Sequence, residues 1–255
     1  MNQEIILETR DLSKEFKGFT AVDRVNLKVR RGSIHALIGP NGAGKTTVFN
    51  LLTKFLPVTA GHIVYNGHDI TAEKPVQIAR RGMVRSFQIS AVFPHLSVLE
   101  NVRVALQRNL GTSFHFWKPE STLRTLNDRA MELLKSVDLE SFADTQTVLL
   151  PYGRKRALEI ATTLALDPEL MLLDEPTQGM GHEDVSRLVE LIRKVAANRT
   201  VLMVEHNMSV VANLSDTITV LARGSVLAEG PYETVSKDVK VLEAYVGTVE
   251  EAEAA

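Results

Sequence analysis

The chain has 255 residues, 44% of them apolar and 24% charged, with a formal net charge of −2 at pH 7. That balance suits a globular protein with a substantial core, as one large domain or a domain with a lobe, and it supplies no positive field to gather DNA, RNA or an anionic membrane surface. Cysteine is absent, which excludes disulfides and thiolate metal sites and suits a reducing compartment.

The opening Met1-Asn2-Gln3-Glu4 has neither the basic flank nor the apolar stretch of a signal peptide. No apolar run nears the roughly 20 residues of a membrane span, so the chain is not expected to cross a bilayer by itself. Residues 4–9 read as a strand, and Val25, Leu27 and Val29 alternate with polar residues as one half-buried strand. A turn at Arg31-Gly32-Ser33 leads into the apolar run Ile34–Ile38. Next comes Gly39-Pro40-Asn41-Gly42-Ala43-Gly44-Lys45-Thr46-Thr47, which fits G-x-x-x-x-G-K-[ST] in the strand–loop–helix setting that pattern needs. The glycines let successive backbone N–H groups curl around a polyphosphate, and the helix from Lys45 to about Lys54 aims its positive end at that anion. Lys45 then reaches the β- and γ-phosphates, and the Thr46 hydroxyl binds Mg²⁺.

Ile63-Val64-Tyr65 followed by Asn66-Gly67 predicts a short strand ending in a hairpin turn. From about 75 to 165 the periodicity is helical, with helices near 75–81, 97–108, 121–136 and 153–166 and a loop at 110–120. Phe114, Phe116 and Trp117 in that loop read as loop packing or as a site. Strands return at Leu170–Leu173, Val201–Val204 and Ile218–Leu221, separated by helices near 182–197 and 207–214, which gives βαβ crossovers and a parallel sheet. The tail Glu250–Ala255 is acidic and expected to be disordered.

Three later features bear on phosphate chemistry. Leu170-Met171-Leu172-Leu173-Asp174-Glu175-Pro176 ends a buried strand in two acids. Beside a P-loop, Asp174 is placed to hold Mg²⁺ and Glu175 to polarise an attacking water. His206, in Val204-Glu205-His206-Asn207, follows the next strand at the end where α/β sheets bind ligands. A neutral imidazole there contacts the γ-phosphate and orients the carboxylate. Gln88, in Arg85-Ser86-Phe87-Gln88, stands where the core gives way to the helical segment, as a polar loop residue or as an amide ligand to Mg²⁺.

Together these stretches resemble the ATP-binding-cassette ATPases, the nucleotide-binding subunits of ABC transporters, over essentially the whole chain. The resemblance implies an α/β fold: a P-loop NTPase (RecA-like) core with an N-terminal antiparallel β subdomain and an inserted α-helical subdomain. Residues 1–88 and 160–235 would form the core, 89–159 the helical signature subdomain, and 236–255 a C-terminal helix and acidic tail. ATP and Mg²⁺ are the implied cofactors. Phe16 would stack on adenine, Gly39 to Thr47 would be Walker A, and Gln88 the Q-loop glutamine that joins Thr46 and Asp174 at the metal. Leu150 to Arg154 would open the signature helix, Leu170 to Glu175 would be Walker B, and Thr177 to His182 the D-loop. His206 would be the switch histidine, with Lys45 and Glu175 as its catalytic companions.

Two departures from the family pattern stand out. The usual L-S-G-G-Q signature reads Leu150-Pro151-Tyr152-Gly153-Arg154, so Pro151 lacks both the hydroxyl and the N–H that would meet the γ-phosphate on a partner subunit. Gly153 keeps a close backbone approach, and Arg154 adds a positive charge. The D-loop, with Gly179-Met180-Gly181-His182, lacks the usual aspartate on which communication between two ATP sites depends. The L-P-Y-G form, the basic run Arg154-Lys155-Arg156, Leu99-Glu100-Asn101-Val102 and Val204-Glu205-His206-Asn207-Met208 resemble the larger ATPase of branched-chain amino-acid importers. That resemblance implies a second ATPase subunit (identical or different), two membrane-spanning permease subunits, a solute-binding protein, and a peripheral place on the cytoplasmic face of the inner membrane. Ile89 to Asn101, with Phe93 and Leu96, is then either lobe core or the docking surface for a permease. The alternatives are uptake of urea or short amides and export of lipid or lipopolysaccharide. A GTPase would need an Asn-Lys-x-Asp guanine reader, which is absent, and nothing in the charge balance calls for a nucleic-acid partner.

Overall fold

The computed structural model describes residues 4–86, 92–110 and 125–245. The first strand, β1 (Ile5–Phe16), runs well past the expected residues 4–9 and folds back as β2 (Phe19–Val25). Val25, Leu27 and Val29 are all buried, as their alternation requires, but they do not share one strand. Val25 ends β2, whereas β3 (Lys28–Arg30) pairs with the other end of β1. Asn26 makes the break: its side chain accepts from Asp11 N–H at 2.9 Å and donates to the Arg24 carbonyl at 3.0 Å, replacing ladder bonds with local ones.

The chain then enters β4 (Ile34–Ile38), the glycine loop and α1 (Lys45–Leu52). β5 (Ala60–Tyr65) and β6 (His68–Asp69) form the expected hairpin around Asn66-Gly67, and β5 pairs antiparallel with β1. After α2 (Pro75–Arg80) comes β7 (Met83–Ser86), a strand that the helical texture of that region hid. The lobe contributes α3 (Val98–Leu106), α4 (Asn127–Ser136) and α5 (Tyr152–Leu164). The remaining elements are β8 (Leu170–Asp174), α6 (His182–Ala196), β9 (Thr200–Val204), α7 (Met208–Leu214), β10 (Thr217–Ala222), β11 (Ser225–Gly230) and α8 (Tyr232–Val235). Helix resumes over residues 239–245.

Six strands form one sheet in the order β11-β10-β4-β9-β8-β7, parallel except for β11 at the edge. β4, β8 and β9 are buried at every position because both sheet faces are covered. Alternation within the strands divides the core in two. Ala36, Ile38, Met171, Leu173, Val201 and Met203 pack toward the lobe, α6 and α7. Leu37, Leu172, Leu202 and Val204 pack toward α1 and the antiparallel sheet. The sheet therefore joins lobe and β subdomain through side chains worth roughly 1.5–3 kcal/mol each when buried.

In the lobe, Ser97 and Glu100 cap α3 reciprocally: Glu100 N–H donates to Ser97 Oγ (3.2 Å) and Ser97 N–H to Glu100 Oε2 (2.7 Å). Asn101, 2% exposed, accepts from Phe93 N–H at 2.7 Å and donates to Thr147 Oγ1 at 2.9 Å, fixing the irregular chain around Phe93. No helix among the described residues is long and apolar enough to cross a membrane. The expected loop with Phe114, Phe116 and Trp117, the first turn of a helix at 121, Gln88, and the acidic tail lie outside the described residues.

Candidate functional site

Sheet register assembles the site. Leu37 of β4 pairs with Val204 of β9, and Val204 pairs with Asp174 of β8, so three strand ends stand in one row. Glu205-His206 and Glu175 follow directly, and the glycine loop follows one residue later, after Ile38. A parallel sheet thus brings the glycine loop to two stretches more than a hundred positions further along the chain.

The glycine loop is tightly backed. A Cβ on Gly39, whose φ is +149°, would lie 2.1 Å from the Leu221 carbonyl oxygen of β10. One on Gly44, φ +100°, would lie 2.6 Å from the Ala21 oxygen of β2. Both positions need glycine for space as well as for backbone conformation. Lys45 is 6% exposed, and its Nζ donates to the carbonyls of Gly39 (2.7 Å) and Pro40 (2.9 Å), across the mouth of its own loop. Burial lowers its pKa, and the nearby Glu175 and Asp174 carboxylates oppose that shift. Thr46 is exposed on the first turn of α1 and Thr47 half-buried behind it; Asn41 and Gly42 are exposed, Pro40 half-buried and Ala43 buried.

Asp174 is 3% exposed. Its Oδ2 pairs with Arg85 of β7, whose other terminal nitrogen donates to Asn50 Oδ1 at 2.6 Å. The Asp174 Oδ1 is buried and has no hydrogen-bond partner among the described residues. An orphaned carboxylate oxygen of this kind is costly unless a cation or water completes it. A carboxylate oxygen left open in this way has the hard-donor chemistry that suits Mg²⁺.

Glu175 adopts φ +48°, a left-handed conformation unusual for a residue with a side chain. Its N–H donates to the Val204 carbonyl at 2.9 Å, and its Oε1 accepts from His206 Nε2–H at 2.6 Å. His206 keeps a 43% exposed side chain while Glu175 is at 12%, so the imidazole bridges the carboxylate and the opening. Glu205, only 3% exposed, has the most partners of the group. Its Oε1 accepts from Thr177 N–H (3.0 Å) and Thr177 Oγ1–H (2.5 Å), and its Oε2 from His206 N–H (2.9 Å) and Asn207 N–H (3.1 Å).

The remaining predicted residues divide. Phe16 stands 41% exposed at the tip of the β1–β2 hairpin, with Lys14 Nζ 5.0 Å from its ring centre; the same hairpin's return strand backs Gly44. Pro151 is the N-cap of α5, with φ −57°, and therefore costs that helix nothing. The Tyr152 hydroxyl donates to the Gln178 carbonyl at 3.1 Å and accepts from Arg156 at 2.7 Å. Gly153 packs on Asp184 so closely that a Cβ would meet its carboxylate at 2.8 Å. Arg154 turns back to the lobe: it donates to the Asp138 carbonyl at 3.3 Å and lies 4.2 Å over the Phe142 ring. Arg85, Glu205 and Asn101 are the residues that sequence reasoning passed over. Glu205 had a signal, being a charge at the end of a wholly apolar run where parallel strands place function. Arg85 had none, since its partner comes from a distant strand.

The family model for ABC transporters matches residues 22–178. The branched-chain amino-acid transport ATP-binding protein BraF of Pseudomonas aeruginosa is 40% identical over 249 residues, covering 95% of this chain and 98% of that protein. LivG of Escherichia coli K12, similarly named, is 39% identical with the same coverage. Among solved structures, the ADP conformation of the ATP-binding cassette MJ1267 superposes with a TM-score of 0.85 at 30% identity, covering 96% of this chain and 99% of that one. A nucleotide-free ATP-binding cassette of an ABC transporter gives 0.83 at 28%, covering 95% and 99%. With its P-loop, paired strand-end acids and histidine in one row of a parallel sheet, the chain belongs to the ABC transporter family, as one of its ATP-binding, ATP-hydrolysing cassettes.

Proposed function

We propose that this chain is the ATPase subunit of an importer of branched-chain amino acids. The hydrolytic half of that reading is carried by one observation, the 2.6 Å contact of His206 Nε2 with Glu175 Oε1 in the row that continues from the glycine loop. Lys45 exchanges the Gly39 and Pro40 carbonyls for the β- and γ-phosphates of ATP, while backbone amides of the loop from Asn41 to Thr47 surround them. Thr46, Asp174 and Gln88 would hold Mg²⁺, which would supply charge neutralisation at the phosphates. Glu175 orients the attacking water and takes up its proton, and His206 holds that carboxylate in place. Phe16 stacks on the adenine.

Pro151, Tyr152, Gly153 and Arg154 present the start of α5 to the nucleotide on a second ATPase subunit. Pro151 offers no N–H, so the helix dipole and the Gly153 backbone carry that contact. Two permease subunits would dock on the lobe. A groove of about 270 Å³ between β7, α3 and α5 is lined by Phe93, Val104 and Arg108, with Phe93 53% exposed at its rim. A solute-binding protein would complete the assembly, and the chain would sit on the cytoplasmic face of the inner membrane. The solute is assigned on the 40% identity to BraF across 95% of the chain.

Uptake measurements test both halves. In cells lacking this gene, the wild-type chain restores accumulation of radiolabelled leucine and Lys45→Ala does not. Restoration of urea uptake in place of leucine would keep the ATPase and remove the amino acid. Restoration by Lys45→Ala would remove the role of the P-loop itself.

A further inference from the structure

We propose that Glu205 is a positioning residue that fastens the D-loop to the switch loop and thereby keeps His206 on Glu175. The proposal rests on the reading of Glu175 and His206 given under Proposed function. Glu205 never faces the opening; it is buried, and its two oxygens face two different loops. Oε1 takes the N–H and hydroxyl of Thr177, two residues after Glu175, and Oε2 takes the N–H groups of His206 and Asn207. All four donors meet a group that only accepts, and no acceptor site is left facing apolar surroundings. Asn207 is fixed in turn: its Oδ1 caps α7 by accepting from Ser209 N–H (3.1 Å) and Val210 N–H (3.3 Å). The backbone of His206 is thus held from both sides, and only its imidazole reaches out to Glu175.

The D-loop end of this clasp also touches the signature helix. The residue after Thr177, Gln178, gives its carbonyl to the Tyr152 hydroxyl, which Arg156 supports from a buried ion pair with Glu159 at 2.8 Å. A D-loop without the family's aspartate is therefore held by a carboxylate from the neighbouring strand end. Glutamine at 205 would keep the shape but turn one pair of acceptor sites into N–H donors, which would face two donors whichever way the amide is placed.

The test compares Glu205→Gln, His206→Ala and the double variant in the full-length chain, purified with the subunits that copurify with it. Single-turnover ATP hydrolysis reads the slow variants, steady-state assays give kcat and KM, and thermal melts check folding. Glu205→Gln should lower kcat about ten- to a hundredfold and change KM for ATP by less than about threefold. In the His206→Ala background the same substitution should cost less than about twofold. An unchanged kcat in Glu205→Gln, or an equal loss in both backgrounds, overturns the proposal. Native turnover in His206→Ala instead overturns the underlying reading, a result distinct from inactive His206→Ala beside fully active Glu205→Gln. If Glu205→Gln does not fold, Thr177→Val and Thr177→Ser replace it: valine should slow turnover and serine restore it, and a fully active valine variant overturns the clasp.

Discussion

At the scale of single residues, the site stores strain where its chemistry is placed. Glu175 holds φ +48° because its N–H is tied to Val204 and its side chain to His206, so the sheet and the switch loop together over-determine its conformation. An L-residue in that region costs about 1 kcal/mol and glycine pays no such penalty. Glu175→Gly should accordingly be about 1 kcal/mol more stable than Glu175→Ala in urea unfolding, reversing the ordinary order of the two residues, while the role proposed for Glu175 predicts that neither variant turns over. Equal stabilities would show that the backbone there is unstrained. The pair Arg85–Asp174 is a different case. Arg85 neutralises one buried oxygen while the other has no hydrogen-bond partner among the described residues, so the acid is half satisfied by the fold itself.

Among the elements, α1 carries the glycine loop at one end and an unfavourable stop at the other. Lys54 follows its last turn at φ +63°, the position where helices favour glycine, and its Nζ is buried without a hydrogen-bond partner among the described residues. Lys54→Gly should stabilise the protein by about 1 kcal/mol at pH 7. Burial lowers the pKa of Lys54 to about 8 from an ordinary 10.5. The unfolded chain therefore binds more protons between those values, and wild-type stability rises with pH across that window. The advantage of Lys54→Gly, read from urea midpoints, should narrow as pH rises from 8 to 10; an advantage constant with pH would place the cost in the backbone alone. The elements also mark what a sequence can disclose. Strands buried on both faces announce themselves as apolar runs, and β4, β8 and β9 stand within a residue of where Ile34–Ile38, Leu170–Leu173 and Val201–Val204 put them. β7 stayed hidden because half of this edge strand is polar, Arg85 and Ser86, with Arg85 turned to Asp174. The need for glycine in that loop was legible because backbone sterics demand it, as Gly39 against Leu221 shows. Glu205 and Arg85 were not legible as site residues, since their meaning lies in partners many positions away.

For the molecule as a whole, a histidine buried in the six-stranded sheet bears on its tolerance to acid. His35 of β4, 1% exposed, donates from Nε2–H to Thr219 Oγ1 at 2.8 Å; that hydroxyl in turn donates to Glu229 Oε2 at 2.7 Å, linking three strands. Burial, with a smaller contribution from Arg30, lowers the pKa of His35 to about 4 from 6.5. Unfolded chains take up this proton first as pH falls, so stability drops between about pH 6.5 and pH 4, by up to about 1.4 kcal/mol per pH unit from this group. His35→Gln should flatten the urea midpoint over that interval, and an unaltered slope would assign acid sensitivity to the carboxylates instead. The far end of the described chain has its own bearing on the nucleotide loop. The Tyr245 hydroxyl accepts a hydrogen bond from Gly39 N–H, and its ring packs on the main core. A fusion or truncation engineered near Tyr245 is therefore also an alteration of the loop that opens at Gly39, and an affinity handle placed there would be weighing on the cradle it was meant to leave alone.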